Sequence, residues 1–152
     1  MKIEERFIRQ AIALAGQARA RGNHPFGALL ALDGQVLLTA ENTVNTEANP
    51  TGHAETNLVL QAVRALAPEQ IKNATLYTSC EPCAMCTGAM YWAGIRKVVF
   101  ALSCQELAKL AGNDFLIPCR ELLVRARDPV EVAGPFLSEE ALEVQLDFWN
   151  SR

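Results

Sequence analysis

Apolar residues recur at helical spacing in the first twenty positions, and the segment MKIEERFIRQAIALAGQARA predicts an amphipathic helix over about residues 2–20. The same spacing returns in HAETNLVLQAVRAL, residues 53–66, where the apolar positions would face a core: Leu58, Val59, Ala62, Val63 and Leu66. Between these helices, two apolar runs at about 26–32 and 35–41 flank Asp33-Gly34. This dipeptide is a strong turn signal, so the stretch predicts a β-hairpin.

The second half of the chain alternates short apolar runs with helical segments. Strands are predicted at 74–79, 96–102 and 129–134, and helices near 83–93 and 104–112. A last helix is predicted over 138–149, with Ser138 as its N-cap. This order predicts a mixed five-stranded sheet in a three-layer α/β/α sandwich, forming one domain over residues 1–152. In such sheets ligands bind where strands lead into helix N-termini, as at residues 53 and 83.

Length and charge restrict the class of protein. A chain of 152 residues can bury its own core, and a net charge of −3 disfavours a dedicated nucleic-acid binder. The sequence contains no apolar run long enough to cross a membrane, and its charged start does not read as a signal peptide. We therefore expect a cytoplasmic protein. Five cysteines without an export signal favour free thiols or metal ligands over disulfides.

The segment Cys83-Ala84-Met85-Cys86 places two cysteines at the start of a predicted helix. Residues three positions apart share a helical face, so both sulfur atoms can reach one ion. The helix N-terminus also favours the thiolate form. A CxxC motif alone is compatible with zinc binding or with redox chemistry. Its position in mid-chain, downstream of a His-x-Glu element, favours zinc.

His53 and Glu55 supply that upstream element. One histidine and two thiolates make three zinc ligands and leave the fourth position for water, which is the catalytic arrangement. Glu55 does not share a helical face with His53, so it is predicted to accept the proton of the water rather than to bind the metal. Alone, each motif could be helix capping or core packing. Together, with Pro82 directly before Cys83, they match the H-x-E…P-C-x-x-C signature of zinc deaminases.

The segments TGHAET and YTSCEPCAMCTGAMYWAG resemble the cytidine deaminase-like superfamily, and within it the branch of bacterial guanine deaminases and tRNA adenosine deaminases. The resemblance covers roughly residues 5–115. It implies a cytidine deaminase-like fold and one Zn²⁺ per subunit, held by His53, Cys83 and Cys86. It also implies that Glu55 shuttles protons while water displaces the amino group of a ring as ammonia.

The resemblance further implies a set of substrate contacts. Phe26 would lie beside the substrate ring, Asn42 would recognise the edge of the base, and the backbone of Ala54 would contact it. Trp92 would stand next to the pocket, and Asp114 would lie near the substrate amine. The expected substrate is guanine or a related purine-like ring, and the expected enzyme is a hydrolase acting on the C–N bonds of cyclic amidines. As alternatives, Phe26 and Trp92 could be core residues and Asp114 a turn residue.

Other functions stay open at this point. A tRNA-specific adenosine deaminase would use the basic group Arg120, Arg125 and Arg127, but the acidic last helix counts against RNA phosphates. A cytosine, nucleoside or aminotriazine deaminase is also compatible with the motif. A zinc-stabilised pseudo-enzyme is disfavoured because Glu55 is present.

The partners expected from the resemblance are a small nucleobase-like substrate and a second copy of the chain. Family members form dimers or tetramers, and the AMYWAGI segment is a candidate contact surface of a homodimer. No membrane partner is expected. Guanine deaminases place a C-terminal aromatic residue in the neighbouring subunit, and Phe148 or Trp149 is the candidate for that role.

Overall fold

A computed structural model describes residues 1–112 and 114–151. Five strands form one sheet in the order β2-β1-β3-β4-β5. The strands are β1 (Gly27–Leu32), β2 (Gln35–Glu41), β3 (Thr75–Cys80), β4 (Lys97–Leu102) and β5 (Glu131–Ala133). The pairs β1–β2 and β1–β3 are antiparallel, whereas β3–β4 and β4–β5 are parallel. The prediction of a mixed five-stranded sheet is thus confirmed.

Helices cover both faces of this sheet. They are α1 (Glu5–Ala20), α2 (Ala54–Ala65), α3 (Pro68–Asn73), α4 (Ala84–Ala93), α5 (Cys104–Ala111), α6 (Cys119–Leu123) and α7 (Ser138–Glu143), and a 3-10 helix (Trp149–Ser151) follows. No helix within the described parts of the chain has both the length and the apolar character needed to span a membrane.

Side chains point alternately to the two faces of the sheet along each strand, and each face carries its own hydrophobic core. On β1, Leu29 points into a core shared with α1 and α7, while Leu30 points into a core shared with α2, α3 and α4. The two cores lie on opposite faces of the sheet, which confirms the three-layer arrangement. The hairpin is also confirmed, because Asp33 and Gly34 both adopt positive φ angles, of 51° and 76°.

The last predicted helix is the main difference between prediction and structure. It ends at Glu143 instead of continuing to 149, and Leu137, not Ser138, is its N-cap residue. The guanidinium of Arg19 donates to the backbone carbonyls of Val144 and Leu146, so the tail turns back toward α1. These long-range contacts replace the local helical hydrogen bonds that the sequence pattern predicted. The short helices α3 and α6 were also not predicted. On α2, Val63 was predicted to face the core but is 50 % exposed, because it lies one position beyond the buried Ala62 on the outer side of the helix.

The topology brings two helix N-termini to the same region. The strand β3 ends just before α4, and the loop that follows β2 leads into α2. The helices α2 and α4 pack against each other on one face of the sheet. The two junctions singled out in the sequence therefore lie side by side.

Candidate active site

Three side chains at these junctions form a cluster suited to a metal ion. His53 is the N-cap residue of α2, Cys83 is the N-cap residue of α4, and Cys86 lies in the first turn of α4. The Nδ1 atom of His53 is 3.6 Å from the Sγ of Cys83 and 3.4 Å from the Sγ of Cys86. Ideal tetrahedral zinc, with Zn–S near 2.3 Å and Zn–N near 2.0–2.1 Å, separates its N and S ligands by about 3.6 Å. The spacing and the donor atoms both fit zinc.

Electrostatics within the cluster also favour a cation. Hydrogen bonding from Cys86 and His53 lowers the pKa of the Cys83 thiol to about 4, against the opposing effect of burial. The pKa of Cys86 is raised because its proton is shared with the Cys83 sulfur and because it is buried. The hydrogen bond to Cys83 also raises the pKa of His53. The lowered pKa of Cys83 favours its thiolate, which is the form that binds metals.

Glu55 lies in the first turn of α2, outside the set of three ligand side chains. It is 6 % exposed, and its Oε1 is 3.2 Å from the hydroxyl of Thr78 on β3. Burial raises the pKa of Glu55 to about 7, and the negative charge of Cys83 adds to this effect. A carboxyl group whose pKa lies near neutral pH can both accept and return a proton.

Backbone and side-chain hydrogen bonds fix the loop that carries His53. The backbone N–H of Thr43 donates to the carbonyl of Gly52, at 2.8 Å. The side-chain amide of Asn57 donates to the carbonyl of Glu41 and to the hydroxyl of Thr43, each at 2.9 Å. The start of α2 is therefore tied to the end of β2, which limits the positions that His53 can adopt.

Three of the predicted substrate contacts gather near this loop. The backbone N–H of Asn42 donates to the carbonyl of Phe26, at 3.1 Å, so these two residues are held together. Asn42 is buried, and its Oδ1 accepts a hydrogen bond from the backbone N–H of Val44. Ala54 is the first residue of α2 and is fully buried next to His53. Their roles toward a substrate stay predictions.

The structure does not bring Trp92 to the metal cluster. Its side chain is 85 % exposed and lines a surface depression with Arg96 and Arg127. Trp92 follows Cys86 by six residues, which places it about 9 Å further along α4 and on another side of that helix. Asp114 is exposed, in the segment between α5 and α6. Its predicted contact with a substrate amine stays a prediction.

Glu81 is a buried acidic residue to which the sequence reading gave no role. Its carboxylate accepts the backbone N–H groups of Cys104, at 3.1 Å, and of Cys119, at 2.8 Å. It therefore ties the first residues of α5 and α6 to the loop just before Cys83. Burial, as the largest cause, raises the pKa of the Cys104 and Cys119 thiols to about 12, so both thiols stay protonated at neutral pH. A charged residue between a buried strand and a ligand pair was the signal that could have identified Glu81.

The C-terminal tail packs beside Pro25 and Phe26 of the same chain. The side-chain amide of Gln145 donates to the carbonyl of Pro25, at 2.7 Å, and accepts the indole N–H of Trp149, at 2.9 Å. The Trp149 ring is centred 5.6 Å from the ring of His24 and 6.2 Å from that of Phe26. Gln145 is almost fully buried, so it anchors the tail beside Phe26.

Comparisons with known proteins agree with this geometry. Residues 1–102 match the family model described as the cytidine and deoxycytidylate deaminase zinc-binding region. A probable cytosine deaminase of Schizosaccharomyces pombe is 38 % identical over 150 residues, covering 95 % of this chain and 91 % of that protein. The guanine deaminase of Bacillus subtilis is 38 % identical over 114 residues, covering 74 % of this chain and 73 % of that protein. A solved tRNA:A34 deaminase is similar with a TM-score of 0.77 and 27 % identity, covering 93 % of this chain and 99 % of that chain. The three similar proteins are deaminases whose names give three different substrates.

Proposed function

The chain belongs to the cytidine and deoxycytidylate deaminase zinc-binding family, and from this premise we propose that it releases ammonia from a free nucleobase. The observation that carries the proposal is the placement of the buried Glu55 carboxyl at the start of the helix that also presents His53. Cys83 and Cys86 complete the three-ligand set, and the Glu55 carboxyl contacts Cys86, so the metal ligands and a proton acceptor lie side by side. The reaction is a hydrolysis of a C–N bond.

When bound by the three ligands, zinc supplies an activated water as the nucleophile. Glu55 accepts the proton that this water gives up. The same carboxyl would donate this proton to the ring nitrogen beside the reacting carbon. It would then accept the proton of the hydroxyl that has added to that carbon and pass this second proton to the amine, which leaves as ammonia. In the metal-free protein, burial raises the pKa of Glu55 to about 7, which favours uptake of a proton by this carboxyl.

Asn42 supports a base that carries a carbonyl group. Its Oδ1 accepts the backbone N–H of Val44, so its Nδ2 amide is the group that would donate to a substrate. Guanine and cytosine both offer a carbonyl acceptor, whereas adenine does not. Guanine is our first candidate because the segments HPFGALL and YTSCEPC…YWA resemble guanine deaminases more than tRNA adenosine deaminases. Cytosine is the second, because the similarity to a probable cytosine deaminase extends over 95 % of this chain.

The basic residues near α6 give limited support to an RNA substrate. The guanidinium of Arg120 donates to the carbonyls of Val132 and Gly134, so it serves the fold. Arg125 and Arg127 line the depression that contains Trp92. The helix α7 carries three glutamates, which repel phosphates. A free base therefore agrees better with the charge distribution than a tRNA loop does.

Ammonia release from the zinc-loaded protein tests the proposed function. The panel contains guanine, cytosine, adenine, their nucleosides and a tRNA anticodon stem-loop. Turnover of guanine or cytosine supports the proposal and identifies the base. Turnover of the stem-loop alone contradicts the free-base assignment, and no release from any amine favours a zinc-stabilised pseudo-enzyme.

We expect Trp149 to close the substrate pocket from within the same chain. Replacing Trp149 with alanine removes a ring that contacts Phe26, and stacking of a base on an aromatic ring contributes about 1–3 kcal/mol. KM for the base should rise by roughly tenfold, with a smaller change in kcat. Steady-state kinetics of Trp149→Ala and Trp149→Phe measure this effect, and the phenylalanine variant should keep most of the affinity. An unchanged KM in the alanine variant would contradict the assignment.

We also propose that the chain forms a homodimer through the outer faces of α2 and α4. Leu60 and Val63 on α2 and Met85 and Trp92 on α4 are large apolar side chains left exposed. Analytical ultracentrifugation should give about twice the chain mass of 16.6 kDa, and Trp92→Ser should shift the protein toward the monomer. The control is Val124→Ser, an exposed apolar residue outside these two helices. A native monomer would refute the dimer.

A cytoplasmic location is part of the same proposal. None of the five cysteines, all of which the structure describes, forms a disulfide. Free thiols persist in a reducing compartment, which agrees with the cytoplasm.

A further inference from the structure

Thr78 lies in β3, with Ala28 of β1 on one side and Phe100 of β4 on the other. Its side chain is 1 % exposed, so bulk water does not reach the hydroxyl. A buried hydroxyl must find its hydrogen-bond partners within the protein. The partners of this threonine therefore show what its hydroxyl does.

Two oxygen atoms lie within hydrogen-bond distance of the Thr78 hydroxyl. The Oε1 of Glu55 is 3.2 Å away, and the backbone carbonyl of Cys80 is 3.0 Å away. A hydroxyl has one proton to donate and lone pairs with which to accept. It can donate to Glu55 when that residue is a carboxylate. It can instead donate to the Cys80 carbonyl and accept from Glu55 when Glu55 holds a proton.

Cys86 is a further polar neighbour of the Glu55 carboxyl. As a zinc ligand, Cys86 would be a thiolate without a proton to donate. The hydroxyl of Thr78 keeps its proton in the presence of the metal. It is therefore the donor that stays available to Glu55 when the site is ready for catalysis.

We propose that the Thr78 hydroxyl is a positioning residue that holds the Glu55 carboxyl in its proton-transferring orientation. This inference rests on the proposed deaminase function. The hydroxyl serves Glu55 before and after proton uptake, because the Cys80 carbonyl gives it an alternative acceptor. The carboxyl then keeps one orientation through the reaction, and the sheet, not the helix, sets that orientation.

Thr78→Val and Thr78→Ser form the test, since valine keeps the shape of threonine without the hydroxyl and serine keeps the hydroxyl. Both variants should bind zinc like the native protein. The valine variant should lose roughly 10- to 100-fold in kcat, while its KM stays within about threefold, as when a group that orients a site residue is removed. The serine variant should recover kcat to within about threefold of the native value. Native kcat in the valine variant, or an equal loss in the serine variant, would overturn the proposal.

Ser79 provides the matched control on the same strand. It is buried, and its hydroxyl accepts the backbone N–H of Gly27 at 3.1 Å. Ser79→Ala should lower stability but leave kcat close to native. If Ser79→Ala lowers kcat as much as Thr78→Val, any buried hydroxyl on β3 matters equally and the specific role of Thr78 is refuted.

Crystal structures of the zinc-loaded native protein and Thr78→Val separate this proposal from the proposed function. In the valine variant the Glu55 carboxyl should turn away from its position 3.2 Å from the residue-78 side chain. An unchanged carboxyl orientation would overturn the positioning role, whether or not any amine in the panel is turned over. If the native protein releases no ammonia while the Glu55 carboxyl still turns away in Thr78→Val, only the deaminase function is refuted.

Discussion

Glu55→Gln should keep its zinc and its fold but lose about three orders of magnitude or more in kcat. General acid–base catalysis contributes typically about 10²- to 10⁴-fold, and here one carboxyl serves both the water and the leaving amine. Glutamine matches the size of glutamate and can still bond to Thr78, so the packing around the site should persist. Zinc analysis and steady-state ammonia release on the same preparation measure the two quantities together.

The control for this variant is Glu47→Gln, which changes an exposed carboxylate in the loop before α2. It should leave both zinc content and kcat unchanged. A Glu55→Gln enzyme with kcat within about tenfold of native would show that another group moves the protons. The mechanism proposed above would then be wrong, although the zinc site could still stand.

The same variant should change how stability depends on pH in the metal-free protein. Burial raises the folded-state pKa of Glu55 from 4.5 to about 7, so folding favours the protonated form. That stabilisation is present below pH 4.5 and is lost as pH rises through about 7. Glutamine has no such titration. The stability of Glu55→Gln relative to native should therefore rise across this interval and level off above it, as measured by urea unfolding.

Each half of the ligand set could be predicted from the sequence because its geometry is local, and the match to the H-x-E…P-C-x-x-C signature joined the two halves. Cys83 and Cys86 are held together by the helix repeat, and His53 and Glu55 lie within one helix start. The alternation of apolar residues likewise predicted which strands form the sheet. The sheet order β2-β1-β3-β4-β5 brings the two helix starts together, and the sequence pattern predicted a mixed sheet but not this order.

The residues that the sequence did not identify act across long separations. Thr78 and Glu55 are hydrogen-bonded although they are 23 positions apart in the sequence, and Gln145 and Pro25 although they are 120 apart. Such pairs depend on the register of β3 and on the turn after α7, and neither is encoded in local periodicity. For Trp92 a local motif was misleading. The resemblance placed this residue next to the substrate pocket, whereas its place on α4, six residues after Cys86, leaves the side chain exposed.

Cys83→Ala should abolish both zinc binding and turnover, and it should destabilise the protein. Removing one of three ligands leaves Cys86 and His53 as an incomplete site, and the thiolate lost is the one with the pKa lowered to about 4. A ligand that binds only the folded state stabilises it by about 4 kcal/mol at 1,000 times its Kd. The variant should lose a comparable free energy of unfolding when zinc is present in that excess.

Chelation of the native protein separates the metal from the cysteine side chain. With chelator, the zinc-dependent part of the difference in unfolding free energy between the native protein and Cys83→Ala should disappear. Any difference that remains reports the contacts of the Cys83 side chain itself, including its lowered pKa. Cys104→Ala, which removes a half-buried thiol outside the ligand set, should keep its zinc and its turnover. If Cys83→Ala retains stoichiometric zinc, the ion is held elsewhere, and the short Sγ–Nδ1 distances at His53 reflect a hydrogen-bonded cluster instead of a metal site.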